Sequence, residues 1–475
     1  MFENIIEQDA ALQLRDDITS CRQAPSMLFF GPSGSGKGST ALEFARVLSC
    51  NSGASWKCAC SACERHRYLQ HNDLLLLGSR PFQAEIAASC SAFLREPSSQ
   101  AAKTLFIRSL RKLHGRFSPV FLEEDTKLLK DVSSLLQFME EGLSEFEAVC
   151  ANAADTAADL SADKSAIEKL CASLVKNAQK LESEGIKDFI PTAHIRSASW
   201  WCRLAPNGKR KTLVIENAGR MKDEARNSLL KLLEEPPATV SIVLTTQRRE
   251  AVIPTILSRL RPYRFFRRTE ESEKEVIRRV FKDSFNEKSS ASGSLTASGS
   301  LTAGGSLINA YLDSFVPNSA EDLYPLTAYF LVSLARASVV SMKKTRSKTV
   351  ECGAGNSAIV NVLGDRYAPI ANAAGFERSA RSAEIVKTIL AKSGSFEGDS
   401  FSRFLKLCLD AVSSVMRDAE NPLYIKYFDA FKKYIGEAET AVGVLNQSTP
   451  LALETLFYKL QMALADSRPQ LARRL

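Results

Sequence analysis

The sequence predicts a parallel α/β sheet domain followed by helical domains, and three observations carry that expectation. Short apolar runs recur between helix-patterned stretches, at Met27–Phe30, Leu74–Leu77, Leu213–Ile215 and Val240–Leu244. A glycine-rich loop, Gly31-Pro-Ser-Gly-Ser-Gly-Lys-Gly-Ser39, follows the first run directly. Beyond the Gly/Ser-rich tract 289–306 no strand alternation occurs, and apolar residues keep helical spacing. Apolar runs separated by helices mark a parallel sheet covered on both faces, with ligands at the carboxyl edge of its strands.

Each element follows from its pattern. Lys37–Ser49 places Ala41, Leu42, Ala45 and Leu48 on one helical face, so the glycine loop opens a helix. Met221–Leu233 is a second helix, with Leu229, Leu230, Leu232 and Leu233, stopped by Pro236 and Pro237. Residues from about 80 to 186 interrupt the strand–helix alternation. There Leu128, Val132, Leu135, Met139, Leu143 and Phe146, then Ile167, Leu170, Leu174, Ala178 and Leu181, recur at three- and four-residue steps. An Ala- and Asp-rich break at 152–163 separates them, so a helical hairpin arm is expected, an insertion with an interaction role at most. The tract 289–306, in which Gly-Ser-Leu-Thr-Ala occurs at 293–297 and 299–303, reads as a loop. The clearest later helices are Ala383–Leu390, Phe401–Val415, Ile425–Ile435 and Leu451–Leu464.

Composition bounds the function. A chain of 475 residues is too long for one ordinary core, and roughly two to four domains are expected. Hydrophobic content of 45% and charged content of 24% are those of a soluble globular protein. The N-terminal segment lacks a basic region before an apolar one, which argues against a signal peptide. The apolar stretch Tyr329–Val340 is short and interrupted by Arg336, so no membrane span and a cytoplasmic location are expected. Eleven cysteines, an odd count, argue against a disulfide framework. The net charge of +8 permits nucleic-acid contact, and the basic clusters Arg108–Arg116, Lys209–Lys211 and Arg259–Arg268 read as solvated faces.

Two constellations carry chemistry. The phosphate-loop pattern G-x-x-x-x-G-K-[ST] is met at Gly31, Gly36 and Lys37, with Gly34 inside the loop, and fails at Gly38. The missing hydroxyl is the Mg²⁺ ligand beside the β- and γ-phosphates, and Ser39 is one residue out of place. Backbone N–H groups at the helix start and Lys37 can still hold a phosphate. The strand Thr212-Leu-Val-Ile-Glu-Asn-Ala-Gly219 carries Glu216 and Asn217 where P-loop ATPases have Asp-Glu. An amide is no general base, so ATP is expected to be held at most, without hydrolysis. The second constellation is Cys50, Cys58, Cys60 and Cys63, a thiolate set suited to tetrahedral Zn²⁺. Only Cys60 and Cys63 keep the C-x-x-C spacing, which leaves the fourth ligand open, with His66 and His71 as substitutes.

Longer motifs suggest a family. Phe2-Glu-Asn-Ile-Ile-Glu-Gln8, the glycine loop, His71-Asn-Asp73, Ile195-Arg196, Asn227-Ser-Leu-Leu-Lys-Leu-Leu-Glu-Glu-Pro-Pro237 and Pro254-Thr-Ile-Leu-Ser-Arg259 occur in order. Together they resemble the bacterial DNA polymerase III clamp-loader subunits of the AAA+ class, most closely the delta-prime type. A weaker match, Leu445 through Leu456, resembles the last collar helix.

The resemblance implies an AAA+ nucleotide-binding-like domain over 1–266, with a zinc module at 50–63, a helical lid over 267–350 and a helical collar over 355–475. It implies a pentameric ring with gamma/tau- and delta-type subunits, acting on a sliding clamp and primer–template DNA. The family has Ser-Arg-Cys where this chain has Ser258-Arg259-Leu260, so Arg259 is implied to be an arginine finger for a neighbour's γ-phosphate. The helical insertion and the Gly/Ser tract have no counterpart. Two other readings stay open: a gamma/tau-type motor subunit that hydrolyses ATP, and an unrelated P-loop nucleotide-binding enzyme.

Overall fold

The computed structural model describes residues 1–123, 125–156, 164–187, 189–283, 306–315, 319–345, 366–372, 376, 382–392, 400–417, 423–443, 445 and 447–465. The Gly/Ser-rich tract, apart from Ser306, and residues 157–163 of the Ala- and Asp-rich break lie outside them. The chain forms two compact units, Met1–Pro317 and Asn318–Leu475.

The first unit is built on a five-stranded sheet of β1 (Ser26–Phe30), β2 (Leu74–Gly78), β3 (Lys211–Glu216), β4 (Val240–Thr246) and β5 (Arg261–Arg264). Their order is β2-β3-β4-β1-β5, and every neighbouring pair is parallel. Strands β3 and β4 are buried along their whole length, which is why they read as unbroken apolar runs. Alternate side chains serve opposite faces. Leu75, Leu77, Leu213, Ile215, Ile242 and Leu244 pack against α9 (Thr192–Arg203) and α10 (Asp223–Glu234). On the other face Met27, Phe29, Leu76, Val214 and Val243 meet α1 (Asp9–Thr19) and α2 (Lys37–Ser49).

The strand β5 lies inside the Arg259–Arg268 cluster, so that cluster is not simply a solvated face. Tyr263 is buried, while Arg264 and Pro262 point outward; a proline is tolerated on an edge strand because one side donates to no neighbour. The Tyr263 hydroxyl donates to Asp17 Oδ2 at 2.7 Å and Arg261 pairs with Asp17 at 2.8 Å, tying α1 to this edge. Two arginines and a proline hid the strand from an apolar-run reading. Gln8 completes the edge: its amide nitrogen donates to Phe266 O at 3.0 Å, and its oxygen accepts from Phe266 N at 3.1 Å. The motif Phe2–Gln8 therefore finishes the sheet.

The insertion consists of α4 (Gln83–Arg95), α5 (Gln100–His114), α6 (Pro119–Leu122), α7 (Thr126–Thr156) and α8 (Lys164–Gly185). Helices α7 and α8 pair, yet they do not project as an arm: α4 and α5 cover their apolar face. Phe146 of α7 packs edge-on against Phe93 of α4 and Phe106 of α5, with ring centroids 4.9 and 5.3 Å apart. The cluster Arg108–Arg116 lies along α5 and the turn after it, and it faces inward. Arg116 is buried, and Arg108, Arg111 and Lys112 are half-buried, each bonded to backbone or carboxylate oxygen. Lys211 of the Lys209–Lys211 cluster is likewise buried, donating to Trp201 O at 2.8 Å. Charge count alone had pointed to solvent because it carries no record of partners distant in sequence.

Helices α12 (Glu270–Phe281) and α13 (Leu307–Asp313) close the first unit, with Ile277, Phe281, Ile308 and Tyr311 packed on Ala88 and Ala92 of α4. The second unit holds α14 (Ser319–Thr345), α15 (Ser382–Lys392), α16 (Ser400–Arg417), α17 (Leu423–Gly443) and α18 (Thr449–Ala465). Phe330 of α14 sits edge-on between Phe404 and Phe457, with centroids 5.5 and 5.7 Å away. Tyr329 to Ala337 of that apolar stretch thus serve this core. Among the described residues, no helix is long and apolar enough to cross a membrane.

The aromatic junction of the insertion sets a stability prediction. Phe106 is fully buried, and a buried phenylalanine cut to alanine loses about 3–5 kcal/mol through transfer and cavity terms. Phe106→Ala should lower the denaturation midpoint of the purified chain accordingly. A midpoint unchanged within error would mean that the insertion is not cooperative with the rest of the unit.

Candidate functional site

The carboxyl edge of the sheet gathers the phosphate-loop residues. The loop leaves β1 after Phe30 and ends at Gly36, the N-cap of α2, which adopts φ 93°. Gly31 has φ 149°, and a Cβ there would meet Phe265 O at 2.1 Å, so β5 approaches too closely for any side chain. Lys37 Nζ donates to Gly31 O and Pro32 O, each at 2.6 Å, and to Ser35 Oγ at 3.3 Å. Burial, with Arg80 nearby, brings its ammonium down to about 8. Arg268 donates to Gly34 O and to Ile6 O, the latter at 3.2 Å, and so braces the loop from the far side. Ser39 is exposed on the first turn of α2, one residue beyond the position of the missing hydroxyl.

Glu216 ends β3 as expected, but its carboxylate is not free for a metal. Arg116 donates to Glu216 Oε2 from a side chain 4% exposed, and Arg80 Nη1 lies 3.6 Å from Oε1. Arg80 and Lys112 in turn both pair with Glu85 of α4. Burial would raise the Glu216 carboxyl, yet Arg116, Arg80 and Lys112 outweigh it and hold the pKa below the usual carboxylate value. Gly38 faces this group: a Cβ there would stand 2.9 Å from Glu216 Oε1 and 3.8 Å from Arg80 Nη1. Asn217 follows in the left-handed region, φ 55°, and turns the chain away from the strand. The residues present therefore do not fit Mg²⁺. Its two protein ligands are a glycine and a carboxylate already engaged by guanidinium groups.

Sequence reasoning missed Arg80, Glu85, Lys112 and Arg116. All come from the insertion or its entry, and Arg116 is 100 residues from Glu216 in sequence. The signal that existed was the basic run Arg108–Arg116 ending next to a glycine, which gives no direction.

The four cysteines converge. Cys50 at the end of α2, Cys58, Cys60 and Cys63 at the start of α3 (Ser61–Arg67) place their Sγ atoms within 4.8 Å of one another. Cys50 Sγ lies 3.6 Å from Cys58 Sγ and 3.9 Å from Cys60 Sγ. A zinc–sulfur bond of about 2.3 Å in a tetrahedron requires sulfur–sulfur edges of about 3.8 Å, so the set fits zinc. Neither histidine is needed as a fourth ligand: His66 and His71 stack on each other with ring centroids 4.1 Å apart. Burial opposes ionisation of Cys60, but N–H groups of Asn51 and Cys63 prevail and bring its thiol down to about 6. Burial pushes Cys63 up to about 12, against the pull of Arg46, which donates to its Sγ at 2.9 Å. Arg46 is itself buried and doubly bonded to Glu43, at 2.7 and 2.8 Å, so it orients the cluster from α2.

The other motif residues are structural or outward-facing. Asp73 is fully buried, and its carboxylate accepts from Asn207 N at 2.9 Å and Gly208 N at 2.6 Å, fixing the turn that feeds β3. Ile195 and Leu229, Leu232 and Leu233 fill the core beneath the sheet. Arg259 follows the short helix α11 (Pro254–Leu257) and lies between buried Ile256 and Leu260, which direct it outward. Its guanidinium donates to Thr255 O and pairs with Glu234 Oε1, both at 2.7 Å.

A metal measurement checks the cysteine cluster. The purified chain should carry about one zinc per molecule, and Cys60→Ser Cys63→Ser should carry none. Equal zinc in both proteins would remove the assignment.

A family model described as DNA polymerase III, delta subunit, matches residues 6–141 and 144–269, more than half of the chain. Among solved structures, a DNA polymerase III gamma subunit-related protein from Thermotoga maritima is 16% identical, with a TM-score of 0.24. That alignment covers 58% of this chain and 81% of the other. No curated protein matches. The matched residues run from the N-terminal motif through the glycine loop and the Glu216 strand to Arg259, and by that match the chain belongs to the DNA polymerase III delta-subunit family of clamp-loader proteins.

Proposed function

We propose that this chain is the non-hydrolysing, delta-prime-type subunit of a DNA polymerase III clamp loader. The observation that carries the reading is the engagement of Glu216 by Arg116 and Arg80 opposite Gly38. A carboxylate committed to two guanidinium groups neither binds the metal nor polarises an attacking water, and Asn217 supplies no base. In this reading nucleotide is held at most, and the chain acts in a pentameric ring beside gamma/tau- and delta-type subunits in the cytoplasm. The ring opens a sliding clamp at primer–template DNA. Residues 1–266 form the AAA+ part, 267–350 the lid and 355–475 the collar.

Arg259 would act in trans on the adjoining subunit's γ-phosphate. What supports this is its exposed position after the Pro254–Leu257 turn and its partner. The pair with Glu234 is half-exposed, and such pairs contribute about 0–1 kcal/mol. A γ-phosphate bearing developing charge offers the guanidinium far more. Exchange of one anion for the other at assembly is therefore downhill.

Two measurements test the proposal. The purified chain should show no ATP turnover, with or without clamp and primed DNA; turnover abolished by Lys37→Ala would favour a gamma/tau-type motor instead. In a reconstituted complex, Arg259→Ala should slow the adjoining site by about 10³-fold or more, so total ATPase falls by that site's share. Unchanged turnover of the complex would rule out the finger.

A further inference from the structure

The groups around Gly38 do more than exclude a metal. A small cavity there is lined by Gly38, Arg80, Lys112, Arg116 and Glu216 on its polar side. Arg116 is 4% exposed; its guanidinium lies over the Phe82 ring, and only one of its nitrogens is hydrogen-bonded. Its Nη2 reaches Glu216, while Nε and Nη1 are buried without any hydrogen-bond partner. Buried guanidinium nitrogens without acceptors are costly, and their persistence points to an acceptor supplied from outside the chain.

The charge balance has the same direction. Lys37, Arg80, Lys112 and Arg116 are four cations set among three carboxylates, Glu85, Glu216 and Glu182, the last interacting with Arg80 from α8. The cations outnumber the carboxylates, so the pocket favours an added anion. Arg268, on the far side of the loop, has Glu7 and Glu273 as its own counter-charges. The cations stand where the Mg²⁺ ligands of a working phosphate loop would converge, at the start of a 13-residue helix whose first-turn N–H groups face the loop.

We infer that this pocket is a divalent-independent polyphosphate site, in which Arg80 and Arg116 supply the positive charge that Mg²⁺ would otherwise bring. The ligand class is a nucleoside di- or triphosphate, or another polyphosphate, in its metal-free form. Lys37 exchanges the carbonyls of Gly31 and Pro32 for phosphate oxygen. The space left by Gly38 admits a phosphate oxygen where a side chain would collide with Glu216. A Mg²⁺-complexed ligand binds less well, because its metal meets guanidinium groups in place of oxygen ligands. The inference rests on the non-hydrolysing reading and goes further, since it names what such a site holds and in which form.

Calorimetric titration of ATP into the full-length chain, in EDTA and in excess Mg²⁺, decides it. Binding should occur in EDTA and be at least as tight there as with Mg²⁺. Arg80→Gln should weaken the EDTA-state affinity roughly tenfold or more, and Arg80→Lys should keep it within roughly threefold. Circular dichroism confirms that each variant is folded; if Arg80→Gln is not, the two buffers with the unaltered chain still decide. Binding that requires Mg²⁺, or no binding in EDTA, overturns the inference. Absence of binding leaves the non-hydrolysing subunit standing, whereas ATP turnover by the chain alone overturns that earlier reading.

Discussion

The carboxylate of Glu216 is the joint between the sheet and the helical insertion. It sits at the end of a fully buried strand, where an unpaired negative charge would cost several kcal/mol in lost solvation. Arg116 and Arg80 neutralise it, and both depend on the insertion being folded: Arg116 follows α5, and Arg80 is held by Glu85 of α4. Phe82 lies beneath both guanidinium groups at 5.3 Å. Removing the insertion would strip the carboxylate of its guanidinium partners. The insertion is therefore part of the phosphate site as well as an extension of the fold.

That dependence explains why three departures from a working ATPase occur together. With Glu216 bound to arginine, a hydroxyl at position 38 would have no metal to coordinate and little room beside Oε1. With no metal, a general base at 217 would have nothing to activate, and Asn217 instead makes a left-handed turn. The site is internally consistent as an anion pocket braced by Lys37 and Arg268. Around it, the cysteine cluster and Asp73 brace the framework. Arg46 ties Cys63 to α2, and Asp73 ties the turn at 207–208 to β2, so the loop that bears the cysteines and the strand that bears Glu216 share one framework.

Arg259 stands apart from this pocket. Its surroundings are polar and open, its ion pair is weak, and its position is set by two buried apolar neighbours. The trans role proposed for Arg259 calls for that combination of fixed backbone and replaceable counter-charge. Leu260 fills the core and leaves the guanidinium unaffected.

The sequence by itself determined the elements and their kind. Four of the five strands, the helix after the glycine loop and the helical second half are written in apolar spacing, which is local. It also determined the cysteine set, because thiolates close in sequence can reach one metal. The fifth strand was hidden by Arg261, Pro262 and Arg264, whose edge position is a property of the whole sheet. Only the tertiary structure decided that the basic run Arg108–Arg116 turns inward, and that Glu216 belongs to Arg80 and Arg116. It also decided that all four thiols meet without a histidine. Electrostatic partners act through space, and a residue 100 positions away leaves no periodicity in the chain by which to be found.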